Sequence, residues 1–188
     1  MSLDFKRMLC PVDMSSFSLE ALRLAVKMAG ASDATLDVLH VIEDPLDDLY
    51  MSALTQIDPA LIETYKSEPK RRAKFRRTTE EHAEVVLKQF CRDHVQRLSR
   101  VRYHVRSGDP LERILEVAED CMSDLIVLAT HGRTGVKRLL IGNVAEKVVR
   151  HAPCPVLTVK PSAFHWPTAE HKPGMIPGVS AENFDADG

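Results

Sequence analysis

Residues 125–160 read LIVLATHGRTGVKRLLIGNVAEKVVRHAPCPVLTVK, and this stretch decides the fold. Leu125 to Thr130 is nearly all apolar and too short for a helix, as a central parallel strand covered on both faces requires. A loop carrying Gly132 and Gly135 follows. Asn143 and Glu146 then have the spacing of a capping box, which predicts a helix ending near His151. Pro155 to Lys160 supplies a further strand, so the stretch is one strand–helix–strand crossover.

Working outward, the same alternation fills the rest of the chain. Met8-Leu9-Cys10-Pro11-Val12 is a short apolar strand that ends at Asp13 and the polar turn Met14-Ser15-Ser16. Ser16 is placed to cap the next helix, whose Leu22, Ala25, Val26 and Ala29 recur at helical spacing until Gly30 closes it. Ala34 to Ile42 reads as the second strand. Beyond Pro69 a long helix is expected to run toward Leu98, with Val85, Val86, Phe90, Val95 and Leu98 on its buried face. Val101, Tyr103 and Val105 then alternate with Arg102, His104 and Arg106, the pattern of a strand with one wet face at a sheet edge. Gly108-Asp109-Pro110-Leu111-Glu112 starts another helix, with Asp109 as cap, Pro110 at the first helical position and an apolar stripe of Leu111, Ile114, Leu115 and Ala118. Five strands separated by helices predict an α/β fold, an open doubly wound parallel sheet, because right-handed crossovers place helices on both faces.

Composition bounds the function without choosing it. At 188 residues, with 44% hydrophobic and 28% charged side chains, the chain is an ordinary globular protein. The net charge of -2 conceals a reversal: residues 43–68 hold seven acids against Lys66, and residues 69–106 hold twelve Lys or Arg against four acids. The basic run, densest from Lys70 to Arg77, is read as a solvated helix face rather than a nucleic-acid footprint, since no aromatic recognition motif accompanies it. Cys10, Cys91, Cys121 and Cys154 form no CxxC pair and suit free thiols in a reducing compartment. No apolar run reaches membrane-spanning length and no secretory signal precedes the first strand, so a cytoplasmic location is expected. The domain is expected to occupy residues 1–160, with 43–68 as an acidic insertion and 161–188 as a Pro- and Gly-containing extension.

Chemistry is expected beyond the carboxyl ends of the strands, where the strand order reverses. Pro11-Val12-Asp13 leaves strand one and Ala129-Thr130-His131-Gly132-Arg133-Thr134-Gly135 leaves strand four. If those strands are neighbours, Asp13 faces the glycine-bearing loop across one crevice. Glycines let backbone approach an anion, and the helix opening at Gly142-Asn143 offers unpaired N–H groups to it. Read without further context, the same glycines could equally shape a turn. His131 has no identifiable partner that would make it a catalyst.

Met8-Leu9-Cys10-Pro11-Val12-Asp13, Leu39-His40-Val41, Gly108-Asp109-Pro110 and the run from Leu128 to Lys160 together resemble the universal stress protein family. Its nucleotide-binding members carry Gly, two residues, Gly, nine residues, then Gly and a hydroxyl residue. Here Gly132, residues 133–141 and Gly142 keep that spacing, whereas Ala129 replaces the first glycine and Asn143 the hydroxyl residue. The resemblance implies a five-stranded sheet in the order 3-2-1-4-5 and a site for ATP or another adenine nucleotide, with or without Mg2+. Adenine would lie against Pro11, Val12, Asp13 and Val41, ribose near Leu128 and Ala129, and phosphates against Gly132, Arg133, Gly142, Asn143 and Val144, with His131 in the same loop. It also implies a homodimer paired along Val156, Leu157, Thr158 and Val159. No metal-ligand motif is visible.

The leading functional reading is a nucleotide-binding regulatory dimer of the stress response that acts on a protein partner of unknown identity. An enzyme finds little support, since there is no Walker lysine motif and no obvious carboxylate pair for Mg2+; slow ATP hydrolysis is the turnover left open. The runner-up is a nucleotide-independent interaction module in which Ala129 and Asn143 mark a degenerate site.

Overall fold

In a computed structural model of the chain, residues 5–42, 69–130 and 142–160 are described. The acidic insertion at 43–68, the loop at 131–141 and the extension at 161–188 lie outside them. The elements in chain order are β1 (Arg7–Pro11), α1 (Ser16–Ser32), β2 (Thr35–Ile42), α2 (Pro69–Val95), β3 (Val101–Ser107), α3 (Pro110–Asp120), β4 (Leu125–Ala129), α4 (Asn143–His151) and β5 (Val156–Val159). The strands form one parallel sheet in the order β3-β2-β1-β4-β5, with β3 and β5 at its edges.

Alternation along the strands builds two cores, one on each face. Met8, Cys10, Leu36, Val38 and Val127 face α1 and α2, where they meet Leu22, Ala25, Leu87 and Cys91. Leu9, Leu39, Ile126 and Leu128 face α3 and α4, where Ile114, Val117, Ala145 and Val148 cover them. At the amino end, the Asp124 carboxylate accepts hydrogen bonds from the backbone of Lys6 at 2.7 Å and of Arg7 at 3.1 Å, which ties β1 to the start of β4. From the central pair the chain leaves β1 toward one face and β4 toward the other, so a crevice opens where α1 and α4 diverge.

Four sequence expectations change in detail. Ser15, not Ser16, caps α1: Ser15 is extended and its side chain accepts from the Ser18 N–H, while Ser16 is already helical. Gly30 does not end α1, which continues to Ser32 and closes on Asp33 in the left-handed conformation. The buried face of α2 keeps the expected Phe90, Val95 and Leu98 but loses Val85 and Val86. Leu87 and Cys91 are fully buried and Ala83, Phe90, Val95 and Leu98 pack beside them, whereas Val85 and Val86 are 65% and 49% exposed. Two valines adjacent in sequence attract the eye, but a helix turns 100° per residue and its buried stripe here follows the spacing 83, 87, 90, 91. Finally, Asn143 is the first residue of α4, and Gly142 occupies the cap without a side-chain hydrogen bond.

Candidate functional site

The central strand pair sets the site. β1 and β4 are hydrogen-bonded neighbours through Met8–Leu125 and Leu9–Ile126. Beyond their carboxyl ends lies a cavity of about 260 Å³. Pro11, Val12 and Asp13 line it from β1, Leu39 and Val41 from β2, Leu128, Ala129 and Thr130 from β4, and Gly142, Asn143, Val144 and Ala145 from α4. Pro110 and Ile114 of α3 and Ser18 of α1 complete the wall. The volume is close to the lower end of the roughly 300–1,000 Å³ common for small-molecule sites.

Nine of the positions expected from sequence therefore meet around one space: Pro11, Val12, Asp13, Val41, Leu128, Ala129, Gly142, Asn143 and Val144. His131, Gly132 and Arg133 lie outside the described residues. Ser18, Leu39, Pro110, Ile114, Thr130 and Ala145 were not anticipated. Leu39, Ile114 and Ala145 lie within strands and helices, where apolar periodicity signals core and gives no sign that the core edge is a cavity wall, whereas Ser18, Pro110 and Thr130 stand at element ends.

Local chemistry holds each wall in place. The Val12 N–H donates to Leu39 O at 2.8 Å, and the Val12 carbonyl lies 2.8 Å from His40 Nδ1, so the end of β1 is anchored to β2. Met14 then takes φ 62°, a left-handed value uncommon for a residue with a side chain, which turns the chain sharply after Asp13. Asp13 Oδ1 accepts from the Ser15 N–H at 3.0 Å and from Ser15 Oγ at 2.6 Å. Ser15 Oγ in turn accepts from the Ser18 N–H. Asp13 thus organises the start of α1 while standing at the cavity rim.

On the opposite rim the Gly142 N–H donates to Thr130 O at 2.6 Å, and the Thr130 N–H donates to Val159 O. A Cβ at position 142 would stand 3.0 Å from the Thr130 carbonyl oxygen, a backbone atom that cannot swing aside. Glycine is favoured there by this close approach, not by its φ of −68°. Because Gly142 caps α4 without a side chain, the first-turn N–H groups of the helix are left to whatever occupies the cavity. The arrangement offers apolar walls for a flat ring at the β1–β2 side and a helix amino terminus for an anion at the β4–α4 side.

Comparison with known proteins agrees with this fold. Residues 4–160 match the model of the Universal stress protein family. A universal stress protein of Methanocaldococcus jannaschii is 32% identical over 157 residues, covering 83% of this chain and 82% of that protein. The solved universal stress protein UspA of Lactobacillus plantarum is 27% identical, with a TM-score of 0.60 over 84% of this chain and 99% of its own. Two more distant structures share the fold: a universal stress protein in complex with cAMP (18% identity, TM-score 0.54, covering 84% of this chain and 98% of its own) and an Arabidopsis thaliana member with AMP bound (19%, 0.50, covering 87% and 97%).

Proposed function

Since the chain belongs to the universal stress protein family, we propose that it is a regulatory protein that binds ATP or another adenine nucleotide at the crevice between β1 and β4. The observation that carries this reading is the pairing of an apolar cleft with the uncapped amino terminus of α4 around one cavity. The adenine ring packs on Pro11, Val12 and Val41 with Asp13 at its rim, and the ribose lies over Leu128 and Ala129. The phosphates meet the backbone of Gly142, Asn143 and Val144, where dipole and N–H groups favour an anion. The resemblance adds Gly132 and Arg133 to the phosphate contacts and His131 to the nucleotide-binding residues, with Mg2+ as a companion of a bound triphosphate. The AMP- and cAMP-bound relatives support the adenine class.

Ala129 and Asn143 tune the site rather than close it. The Ala129 methyl occupies space beside the ribose, and Asn143 exchanges a hydroxyl for an amide that still donates to phosphate. Occupancy biases the 131–141 loop and so a surface read by a partner. Dimerisation uses β5, a sheet edge whose Val156, Leu157, Thr158 and Val159 are half-buried within one chain. The protein works in the cytoplasm, and turnover of the nucleotide is not part of the mechanism. The nucleotide-independent module is the second reading, and the same two substitutions, Ala129 and Asn143, favour it.

The test is the melting temperature with ATP, ADP, AMP or no ligand. Ligand at about a hundredfold over Kd stabilises the native state by roughly 2.7 kcal/mol. The companion variant is Asp13→Asn, which keeps an oxygen acceptor for Ser15, removes the charge and replaces the second carboxylate oxygen by an NH2 donor. A selective shift that shrinks in this variant supports the pocket. No shift at millimolar nucleotide transfers the case to the nucleotide-independent module.

A further inference from the structure

A second cluster lies on the α3/α4 face, nearer the amino ends of the strands. Asp37 sits mid-strand in β2, two residues before the cavity-lining Leu39, and its side chain is fully buried. Arg102 of β3 donates to it twice, Nε to Oδ1 and Nη2 to Oδ2, both at 2.7 Å. His104 Nε2 is 2.6 Å from Asp37 Oδ1, and Cys121 Sγ, at the end of α3, is 3.8 Å from the same nitrogen. The three donor atoms of Asp37, His104 and Cys121 all lie within 4.8 Å of one another. None of these residues lines the nucleotide cavity.

We propose that Asp37 Oδ1, His104 Nε2 and Cys121 Sγ form a binding site for one transition-metal dication of the Zn2+ class. The donor set is one oxygen, one imidazole nitrogen and one sulfur, which suits Zn2+ or Co2+ and not Mg2+ or Ca2+, whose sites are built of oxygen. A tetrahedral ion with bonds of about 2.0–2.3 Å holds its ligand atoms roughly 3.3–3.7 Å apart. The His104–Cys121 edge is already close to that, and the Asp37–His104 edge must open by about 1 Å, as when a metal replaces the hydrogen between two groups. Arg102 keeps its Nη2 bond to Oδ2 and orients the carboxylate from behind, an outer-shell role that ligating carboxylates commonly have. The fourth position faces outward, since β3 is an edge strand and His104 keeps 18% of its side chain exposed.

Binding balances simply. The metal displaces the thiol proton of Cys121 to solvent, and the proton that His104 holds on Nε2 toward Asp37 Oδ1 moves to Nδ1, which leaves Nε2 free to ligate.

The full-length protein, reduced with a non-chelating phosphine, is titrated with Co2+. One equivalent is expected to give a thiolate-to-cobalt charge-transfer band and tetrahedral d–d bands, both lost when Zn2+ is added, while Mg2+ has no effect. Cys121→Ser should abolish the charge-transfer band, His104→Gln should weaken binding at least about tenfold, and Cys154→Ser should change neither. His104→Gln keeps the test decisive should Cys121→Ser fail to fold. A band that survives in Cys121→Ser, one that disappears in Cys154→Ser, full affinity in His104→Gln, or no 1:1 complex at micromolar Co2+ overturns the site. Nucleotide-dependent melting is a separate readout, so this result and the nucleotide reading stand or fall independently.

Discussion

The two faces of the sheet are built from the same strands and do different things. On the α1/α2 side, Met8 and Cys10 of β1, Leu36 and Val38 of β2, and Leu125 and Val127 of β4 enter an apolar core, and the thiols there are silenced: burial raises Cys10 strongly and pushes Cys91 up to about 12. On the α3/α4 side the intervening residues include the buried Asp37, and the cavity opens at the top of the same layer. Burial alone would raise the Asp37 carboxyl, yet the His104 and Arg102 hydrogen bonds and the Arg102 charge outweigh it and hold it below its ordinary value. A sheet with helices on both faces can therefore keep one side for stability and leave the other free to carry polar groups whose burial must be compensated.

That division can be broken by substitution. The largest effect should come from the dry side: Leu22→Ala, which empties a fully buried position, should cost about 3 kcal/mol in denaturant unfolding. It should leave any nucleotide- or metal-dependent shift in place. Losing those shifts together with stability would show that the faces are one cooperative unit and not two. Next, Arg102→Leu, measured with a chelator present, should cost about 2 kcal/mol, because a buried carboxylate is left with His104 alone. Arg102 is 52% exposed, which keeps the figure below that of a fully buried pair. A change under about 0.5 kcal/mol would mean that the Asp37 cluster adds nothing to stability. Smallest of all, Val85→Ala should move stability by less than about 0.5 kcal/mol. A loss of several kcal/mol there would return Val85 to the buried face first expected for it.

Legibility followed the same line between faces. The apolar runs of β1 and β4, the Asp109-Pro110 helix start and the glycine spacing up to Gly142 announce sheet, crossover and crevice, because each depends on neighbours in sequence. Asp37 could not be read in this way. Its partners stand 65 and 67 residues away, and the alternation that places Arg102 and His104 on one side of β3 reads as a wet face until β2 is seen to present a buried acid to it. A charge inside an otherwise apolar strand was the available signal, since buried charges are nearly always paired. α4 carries the complementary lesson: Asn143 and Glu146 have capping-box spacing, but the close approach of Gly142 to Thr130 shifts the helix start by one residue, and Glu146 pairs with Arg150 instead.

The bond from the Gly142 N–H to Thr130 O also makes residues 131–141 a cassette. The residues on either side of it, Thr130 and Gly142, are clasped to each other, and Thr130 is fastened independently to Val159, so the sheet does not register how long the intervening segment is. Doubling the length of a flexible linker between two clasped residues adds only about 0.6 kcal/mol of closure entropy. A designer could therefore exchange this segment for a longer one, and with it the ligand the crevice prefers, while the strands beneath keep their register.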